Sequence, residues 1–258
     1  MSSLSKTLDN IKIEDIIEKV EAYIEDEEQV NVIKKAYQFA LEKHSGQYRK
    51  SGEAYIYHPM NVALILTTVY ADYETISAGL MHDVLEDCDC TPEEMEEKFG
   101  KTITKLVQGV TKLSKTRAHM RNLDSYLPST SDNLLKLLIA TGQDVRVLII
   151  KLADRLHNLR TLSALPPDKQ RKIARESLDV FAPLADRLQM GKVRVEIEEI
   201  SFKYLNPKRY EELKHLTETR LKKANKKRKL FNGNLKVDFY QYFGPKPPKD
   251  GENFKAVE

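Results

Sequence analysis

Apolar side chains recur every three to four residues along most of the first 205 residues, which is the spacing of one buried face of an α-helix. The first two runs consist of Ile13, Ile16, Ile17, Val20 and Ile24, and of Val32, Ile33, Ala36, Tyr37 and Ala40. The chain has no Trp and only 10 Gly and 10 Pro, which argues against a turn-rich β architecture. We therefore predict an all-α fold, a bundle of about ten helices around one core.

The charge distribution divides the chain into regions. From Lys203 onward, 15 Lys and Arg outnumber 7 Asp and Glu, whereas the preceding part is mildly acidic. We predict a helical domain over residues 1–205, a basic C-terminal helix over 206–230, and a short strand with a disordered tail over 231–258. The basic stretch 220–229 is interpreted first as a solvated helix face, with an RNA or protein contact as the alternative.

Three local patterns within the domain give further expectations. The apolar runs 75–85 and 168–188 each predict one continuous helix. Residues 114–132 are polar and contain Pro128, so we expect mostly loop there.

The compartment follows from what the sequence lacks. No stretch approaches eighteen apolar residues, and the N-terminus lacks the basic-then-apolar pattern of a secretory signal. Cys88 and Cys90 cannot make a disulfide framework, which fits a reducing cytosol. Two thiols alone are an incomplete site for a soft metal, so we interpret them as incidental and expect a cytoplasmic protein with no membrane contact.

The segment HDVLED at 82–87 is the first candidate for chemistry. On a helix, His82 shares a face with Glu86, and Asp83 shares a face with Asp87. The preceding residues are apolar, and a charged Asp among buried Leu and Met is costly unless it is paired or binds a metal. The alternative is a capped helix end with surface acids.

The segment KLADRLHNLRT at 151–161 is the second candidate. Asp154, Asn158 and Thr161 form one polar stripe on an otherwise apolar helix. The alternative for Asp154 is a buried ion pair with Arg155 or Arg187.

Two imidazoles and two carboxylates combine into one candidate ligand set: His58, His82, Asp83 and Asp154. This mixture suits a divalent ion such as Mn²⁺, Fe²⁺ or Zn²⁺ and predicts a central metal site. Such an ion can lower the pKa of a water, and Glu86 and Asp87 are placed to orient or deprotonate that water. Arg49 and Lys50, in a turn before His58, can stack on a base or reach a phosphate. An ordinary basic surface turn is the alternative for this pair.

These residues belong to longer stretches that resemble a known family. The stretches are HSGQYRKSGEAYIYHP (44–59), GLMHDVLED (79–87), FGKTITKLVQGVTKLSK (99–115), DVRVLIIKLADRLHNLRTL (144–162), RKIARESLDVFAPLADRLQM (171–190) and YLNPKRYEEL (204–213). Together they resemble the HD-superfamily metal-dependent phosphohydrolases. More narrowly, they resemble the hydrolase domain of RelA/SpoT homologues, which degrade the alarmones ppGpp and pppGpp.

The resemblance implies a fold, a reaction and a role for each residue. The fold is an HD-type helical bundle, and the reaction is hydrolysis of the 3′-pyrophosphate to give GDP or GTP and pyrophosphate. The metal, usually Mn²⁺, is bound by His58, His82, Asp83 and Asp154. By the same resemblance, Glu86 and Asp87 manage the attacking water, Arg49 and Lys50 pack on the guanine, and Asn158 and Thr161 contact the ribose and base.

The chain also departs from the family pattern. Residues 116–135 match poorly, which bears on substrate closure and its regulation rather than on the metal. The synthetase motifs of bifunctional members are missing, so we favour a stand-alone hydrolase without synthetase activity over a cut-down longer protein. Two alternatives stay open: the same chemistry on another nucleotide such as NADPH or a dNTP, and a catalytically weak alarmone-binding module.

Overall fold

In a computed structural model of the protein, the residues described are 11–122 and 144–234, with side chains described over 11–114 and 144–220. This part of the chain is helical and contains no strand, only one isolated bridge between Tyr48 and Ala54. The predicted all-α fold is confirmed. The chain divides into two compact units, Met1–Pro207 and Lys208–Glu258.

The first seven helices are α1 (Ile13–Glu21), α2 (Glu27–Lys43), α3 (Tyr57–Thr67), α4 (Tyr73–Leu80), α5 (Val84–Asp87), α6 (Pro92–Asn122) and α7 (Arg146–Arg160). They are followed by a 3₁₀ turn (Leu162–Ala164), α8 (Pro167–Glu176), a π-helical turn (Ser177–Phe181), α9 (Ala182–Arg187), α10 (Gly191–Leu205) and α11 (Pro207–Asn234). Helix α11 runs through the described part of the second unit. None of the described helices combines the length and the apolar composition needed to cross a membrane.

Side-chain caps begin several of these helices where short polar residues precede the apolar pattern. Asp26 accepts a hydrogen bond from the backbone N–H of Glu28 at 2.8 Å, and Asp72 accepts one from Thr75 at 2.7 Å. Each cap satisfies a backbone donor that has no partner inside its own helix, a contribution of about 1 kcal/mol.

The prediction of one helix over 75–85 was wrong, and the difference shapes the site. Helix α4 ends at Leu80 and α5 begins at Val84, with a turn between them. Within that turn the Nδ1 atom of His82 lies 2.8 Å from the backbone carbonyl of Gly79. The side chain of His82 is therefore hydrogen-bonded to a carbonyl that would accept from a backbone N–H in a continuous helix.

Two further predictions are corrected. Helix α6 continues through 114–122, which we expected to be loop, because this stretch is rich in helix-forming residues and has no Pro. The rest of that expected loop, at 123–132, lies outside the described residues. The predicted helix over 168–188 is interrupted by the π-helical turn. Pro183 follows this turn and has no N–H to donate, so the regular i to i−4 pattern cannot continue through it.

Other expectations also fall outside the described residues. The short strand and tail at 231–258 are described only as far as residue 234, which is the end of α11. The side chains of 221–229, which would make the RNA or protein contact, are not among those described.

Helix α3 packs against α1, α4 and α7 and lies at the centre of the first unit. The contact between α3 and α4 is so close that a Cβ atom added at Gly79 would lie 2.5 Å from Cδ1 of Leu66. Leu66 and Ile76 are fully buried at this contact. This packing brings the start of α3, the turn after α4 and the middle of α7 to one place.

Candidate metal centre

The four predicted ligands come from these three elements. His58 lies in the first turn of α3, His82 and Asp83 in the turn between α4 and α5, and Asp154 in α7. His58 and His82 are each 1% exposed and Asp154 is 5% exposed. His58, His82 and Asp154, which are 24 to 96 positions apart in sequence, thus meet in the interior.

The ligand atoms of His58, His82 and Asp154 all lie within 4.8 Å of one another, and Asp83 lies beside the two histidines. His58 Nε2 lies 3.5 Å from Asp83 Oδ2 and 3.3 Å from Asp154 Oδ1. His82 Nε2 lies 3.2 Å and 3.8 Å from the same two oxygens. Two ligands at about 2.1 Å from one ion lie about 3 to 4 Å from each other, depending on the coordination angle. The separations therefore match a single divalent cation.

The ring of His82 tests this match independently. Its Nδ1 donates to the carbonyl of Gly79, which leaves Nε2 as the atom that faces the centre. That Nε2 is fully buried and faces carboxylate oxygens of Asp83 at 3.2 Å and Asp154 at 3.8 Å without a well-aligned hydrogen bond. A buried nitrogen without a well-aligned hydrogen bond is rare, and a bound cation would satisfy it. The residues present thus fit a divalent metal.

The charges of the centre depend on one another. Burial lowers the pKa of His82, but Asp83 and then Asp154 outweigh burial and raise that pKa to about 9. Burial lowers the pKa of His58. Burial opposes ionisation of Asp83, yet the charge of His82 lowers its pKa. In the metal-free protein, a proton on His82 therefore partly balances the two carboxylates.

Asp154 is held by two neighbours on its own helix. Lys151 Nζ donates to Asp154 Oδ2 at 2.7 Å and to Ser114 Oγ at 2.9 Å. Asn158 Nδ2 donates to Asp154 Oδ1 at 2.5 Å. Burial raises the pKa of Asp154, but the charge of Lys151 holds it well below its usual value. Asp154 is thus a fixed, ionised candidate ligand.

The alternative ion pair for Asp154 is not what the described residues show. Arg155 turns away and donates to Glu176 at 2.9 Å and to Ser177 Oγ at 2.6 Å. The cation beside Asp154 is Lys151, which sequence reasoning did not single out. Its position three residues before Asp154, on one apolar helix, was the available signal.

Tyr55 is a second residue that sequence reasoning missed. Its hydroxyl lies 2.7 Å from Asp83 Oδ2 and 3.1 Å from Asp87 Oδ2. Burial, followed by the charge of Asp83, raises its pKa far above the usual range, so the hydroxyl keeps its proton and acts as a donor. The ring stacks on His44 with 4.6 Å between centroids, which fixes its orientation. Tyr55 thus joins a candidate ligand to a candidate catalytic acid.

The two predicted acids lie at the solvent side of the centre. Glu86 and Asp87 are both exposed and occupy the last two positions of α5. Asp87 is connected to the centre through Tyr55, and its backbone N–H donates to the carbonyl of Asp83 at 2.8 Å. These acids are close to the ligands in the fold but lie outside the ligand set.

The four predicted substrate residues lie in two places, the loop before α3 and the C-terminal end of α7. Arg49 and Asn158 are in contact, with Nη2 of Arg49 at 2.6 Å from Oδ1 of Asn158. Thr161 caps the C-terminal end of α7, and its hydroxyl donates to the carbonyl of His157 at 3.3 Å. Lys50 is exposed in the loop that carries Arg49. The structure thus directs Arg49 at α7, a placement that the sequence did not indicate.

Comparisons with known proteins agree with this arrangement. The HD domain family model matches residues 36–191. A guanosine-3′,5′-bis(diphosphate) 3′-pyrophosphohydrolase from Aquifex aeolicus is 40% identical over 247 residues, which are 96% of this chain and 32% of the relative. The bifunctional (p)ppGpp synthase/hydrolase SpoT of Escherichia coli is 45% identical over 190 residues, which are 74% of this chain and 26% of the relative.

A solved structure is also similar. It is that of a metazoan ortholog of SpoT, described as a protein that hydrolyses ppGpp and plays a role in starvation responses. It aligns with a TM-score of 0.51 and 27% identity, over 68% of this chain and 96% of that one. The chain spans 32% and 26% of the two curated relatives. Because the family model covers more than half of the chain and its match includes the four candidate ligands, this protein belongs to the HD domain family.

Proposed function

We propose that this chain hydrolyses the 3′-pyrophosphate of ppGpp and pppGpp, giving GDP or GTP and pyrophosphate. The observation that carries the proposal is the convergence of ligand atoms from His58, His82 and Asp154 in the interior, with Asp83 Oδ2 at 3.5 Å and 3.2 Å from the two imidazole nitrogens. The names of the relatives from Aquifex aeolicus and Escherichia coli, and the description of the metazoan ortholog, support the choice of substrate.

We propose Mn²⁺ as the cation, held by His58, His82, Asp83 and Asp154. Two carboxylates and two imidazoles without a thiolate suit a moderately hard divalent ion. A cation bound there supplies Lewis-acid activation of the attacking water and neutralises charge on the reacting phosphate.

The acids of α5 manage the proton in this proposal. The oxygen of water attacks the phosphorus attached to the 3′-oxygen, a new P–O bond forms, and the bond between phosphorus and the 3′-oxygen breaks. Asp87 takes the proton of the water because Tyr55 holds its carboxylate beside the ligand Asp83. Glu86, exposed one residue earlier, orients the water. A proton from solvent or from Asp87 then completes the 3′-hydroxyl.

Nucleoside binding is assigned to the residues around the start of the 47–56 loop and the end of α7. Arg49 and Lys50 pack on the guanine, and Asn158 and Thr161 contact the ribose and base. Asn158 serves both nucleoside binding and the metal centre, because its Nδ2 also donates to the ligand Asp154. We place this activity in the cytoplasm and assign no synthetase function to the chain.

The experiment is a substrate panel with the Mn²⁺-loaded protein. We expect GDP and pyrophosphate from ppGpp, and a loss of about 100-fold or more in Asp83→Asn, which keeps the shape of a ligand but removes its charge. Asp89→Asn is the matched control, since Asp89 is an exposed acid six residues further along the chain. Its activity should equal that of the wild type.

The same panel decides between the alternatives. A tenfold higher kcat/KM for NADPH or a dNTP than for ppGpp would assign the site to another nucleotide. Tight binding of ppGpp without product would make the chain an alarmone-binding module.

A further inference from the structure

A closed series of hydrogen bonds joins Arg49 to two of the candidate metal ligands. Nη1 of Arg49 lies 3.2 Å from Nδ1 of His157, which in turn lies 2.7 Å from Nδ1 of His58. Nη2 of Arg49 lies 2.6 Å from Oδ1 of Asn158, whose Nδ2 donates to Asp154. One guanidinium thus reaches a histidine ligand through one arm and a carboxylate ligand through the other.

The first arm fixes the position of protons, because a guanidinium can only donate. A proton on Nδ1 of His157 would face the N–H of Arg49, so this nitrogen carries no proton, and its one lone pair is shared between the Arg49 and His58 sides. Nδ1 of His58 faces the same nitrogen at 2.7 Å, so it has to be the donor of that bond. In neutral His58 the other ring nitrogen, Nε2, is then unprotonated.

That unprotonated nitrogen is the one that faces the centre. His58 Nε2 lies 3.3 Å from Asp154 Oδ1 and 3.5 Å from Asp83 Oδ2. Only this tautomer offers a lone pair to a cation there. Without Arg49, the His157 ring can instead donate from Nδ1 to His58, which moves the His58 proton to Nε2, where the two carboxylates favour it. The cation would then have to displace that proton.

We propose that Arg49 is a positioning residue for the metal centre: through His157 it selects the tautomer of His58 that can bind a cation. The inference rests on the proposed function only in taking His58 as a metal ligand. It assigns Arg49 a role in the absence of nucleotide, in addition to the base contact proposed above. Because the guanidinium fork serves two acceptors at once, Lys cannot replace it fully.

The test measures tautomers and Mn²⁺ affinity without any nucleotide. We expect ¹⁵N NMR of the imidazole rings in the metal-free wild type to show His58 protonated at Nδ1. Arg49→Ala should shift His58 toward the Nε2-protonated form and weaken Mn²⁺ binding about tenfold by calorimetry. Arg49→Lys should retain part of both properties.

Two controls separate this role from loop damage. Lys50→Ala removes the neighbouring exposed cation of the same loop and should leave the tautomer and the Mn²⁺ affinity unchanged. Asn158→Ala breaks only the second arm, so the His58 tautomer should stay as in the wild type. Circular dichroism verifies that each variant is folded.

An unchanged His58 tautomer and unchanged Mn²⁺ affinity in Arg49→Ala would overturn the inference. Because no nucleotide is present, the result is independent of which substrate the enzyme uses. A wild type that binds Mn²⁺ but does not turn over ppGpp would refute the proposed function and leave this inference standing.

Discussion

The hydroxyl of Tyr55 lies 2.7 Å from Oδ2 of Asp83, the same oxygen that faces both candidate histidine ligands. The hydroxyl is also 3.1 Å from Asp87, so its one proton is placed between a ligand and an acid. This contact couples the position of the acid to the position of the metal centre.

Tyr55→Phe keeps the ring stacked on His44 but removes the hydroxyl. We expect kcat to fall about ten- to 100-fold, because Asp87 loses the contact that holds it beside the centre. KM for ppGpp should change little, since Tyr55 is not assigned to nucleoside binding. Tyr48→Phe is the control, because Tyr48 is 71% exposed and should tolerate the change. Equal losses in kcat for both variants would contradict the assignment.

Lys151→Met tests the buried ion pair with Asp154. Without metal, the change leaves a buried carboxylate without its cation, and we expect the free energy of unfolding to fall by about 3 kcal/mol. Mn²⁺ should recover part of this loss, since a cation at the centre replaces the missing positive charge. Urea unfolding with and without Mn²⁺ measures both effects. Lys105→Met, at an exposed position of α6, should change stability little.

The pKa of His82 predicts how metal affinity depends on pH. The folded-state pKa is about 9, above the usual 6.5, so at neutral pH the metal-free protein holds a proton that Mn²⁺ must displace. Affinity should therefore rise with pH up to about 9. Calorimetry in buffers of different ionisation enthalpy should show release of a proton at pH 7. Binding without proton release would rule out this competition.

The same shift predicts the stability of the metal-free protein. A raised histidine pKa contributes stability that is fully present below pH 6.5 and is lost as the pH rises through about 9. The free energy of unfolding in a chelator should fall across that window. His82→Gln should flatten this pH dependence.

Gly79→Ala tests the close contact between α3 and α4. The new Cβ would lie 2.5 Å from Cδ1 of the buried Leu66, so we expect a loss of about 1 to 3 kcal/mol in the free energy of unfolding. Because the carbonyl of Gly79 also orients His82, Mn²⁺ affinity should fall as well. Gly191→Ala is the control, since a Cβ atom added at Gly191 would have no neighbour within 4 Å.

The sequence predicted the parts of the site that depend on residue type. Helical periodicity predicted the all-α fold, and residue type and spacing pointed to His58, His82 and Asp154, which the structure brings together; Asp83 as a fourth ligand stays a prediction. Both signals are local in sequence. Helical periodicity is visible within one segment, and an ionisable residue within an apolar run already indicates a partner or a metal. The roles proposed for Glu86, Asp87, Lys50 and Thr161 stay predictions.

The rest depended on contacts that a linear pattern does not contain. Arg49 lies 108 and 109 residues from His157 and Asn158, so only the fold shows that it is directed at them. The turn between α4 and α5 could not be predicted either. The side chain of His82 bonds the carbonyl of Gly79 in place of a backbone N–H, and hydrophobic periodicity does not indicate such a side-chain hydrogen bond.

That turn has a further consequence for turnover. Within six residues the chain passes from the fully enclosed His82 to the solvent-facing Asp87, so among the described residues α5 forms one edge of the path between the centre and solvent. Under the proposed function, pyrophosphate and the nucleoside product would both leave along this edge, and each would delay the release of the other. Departure rather than bond cleavage would then set the maximal rate, and a more viscous solvent would slow the enzyme in proportion.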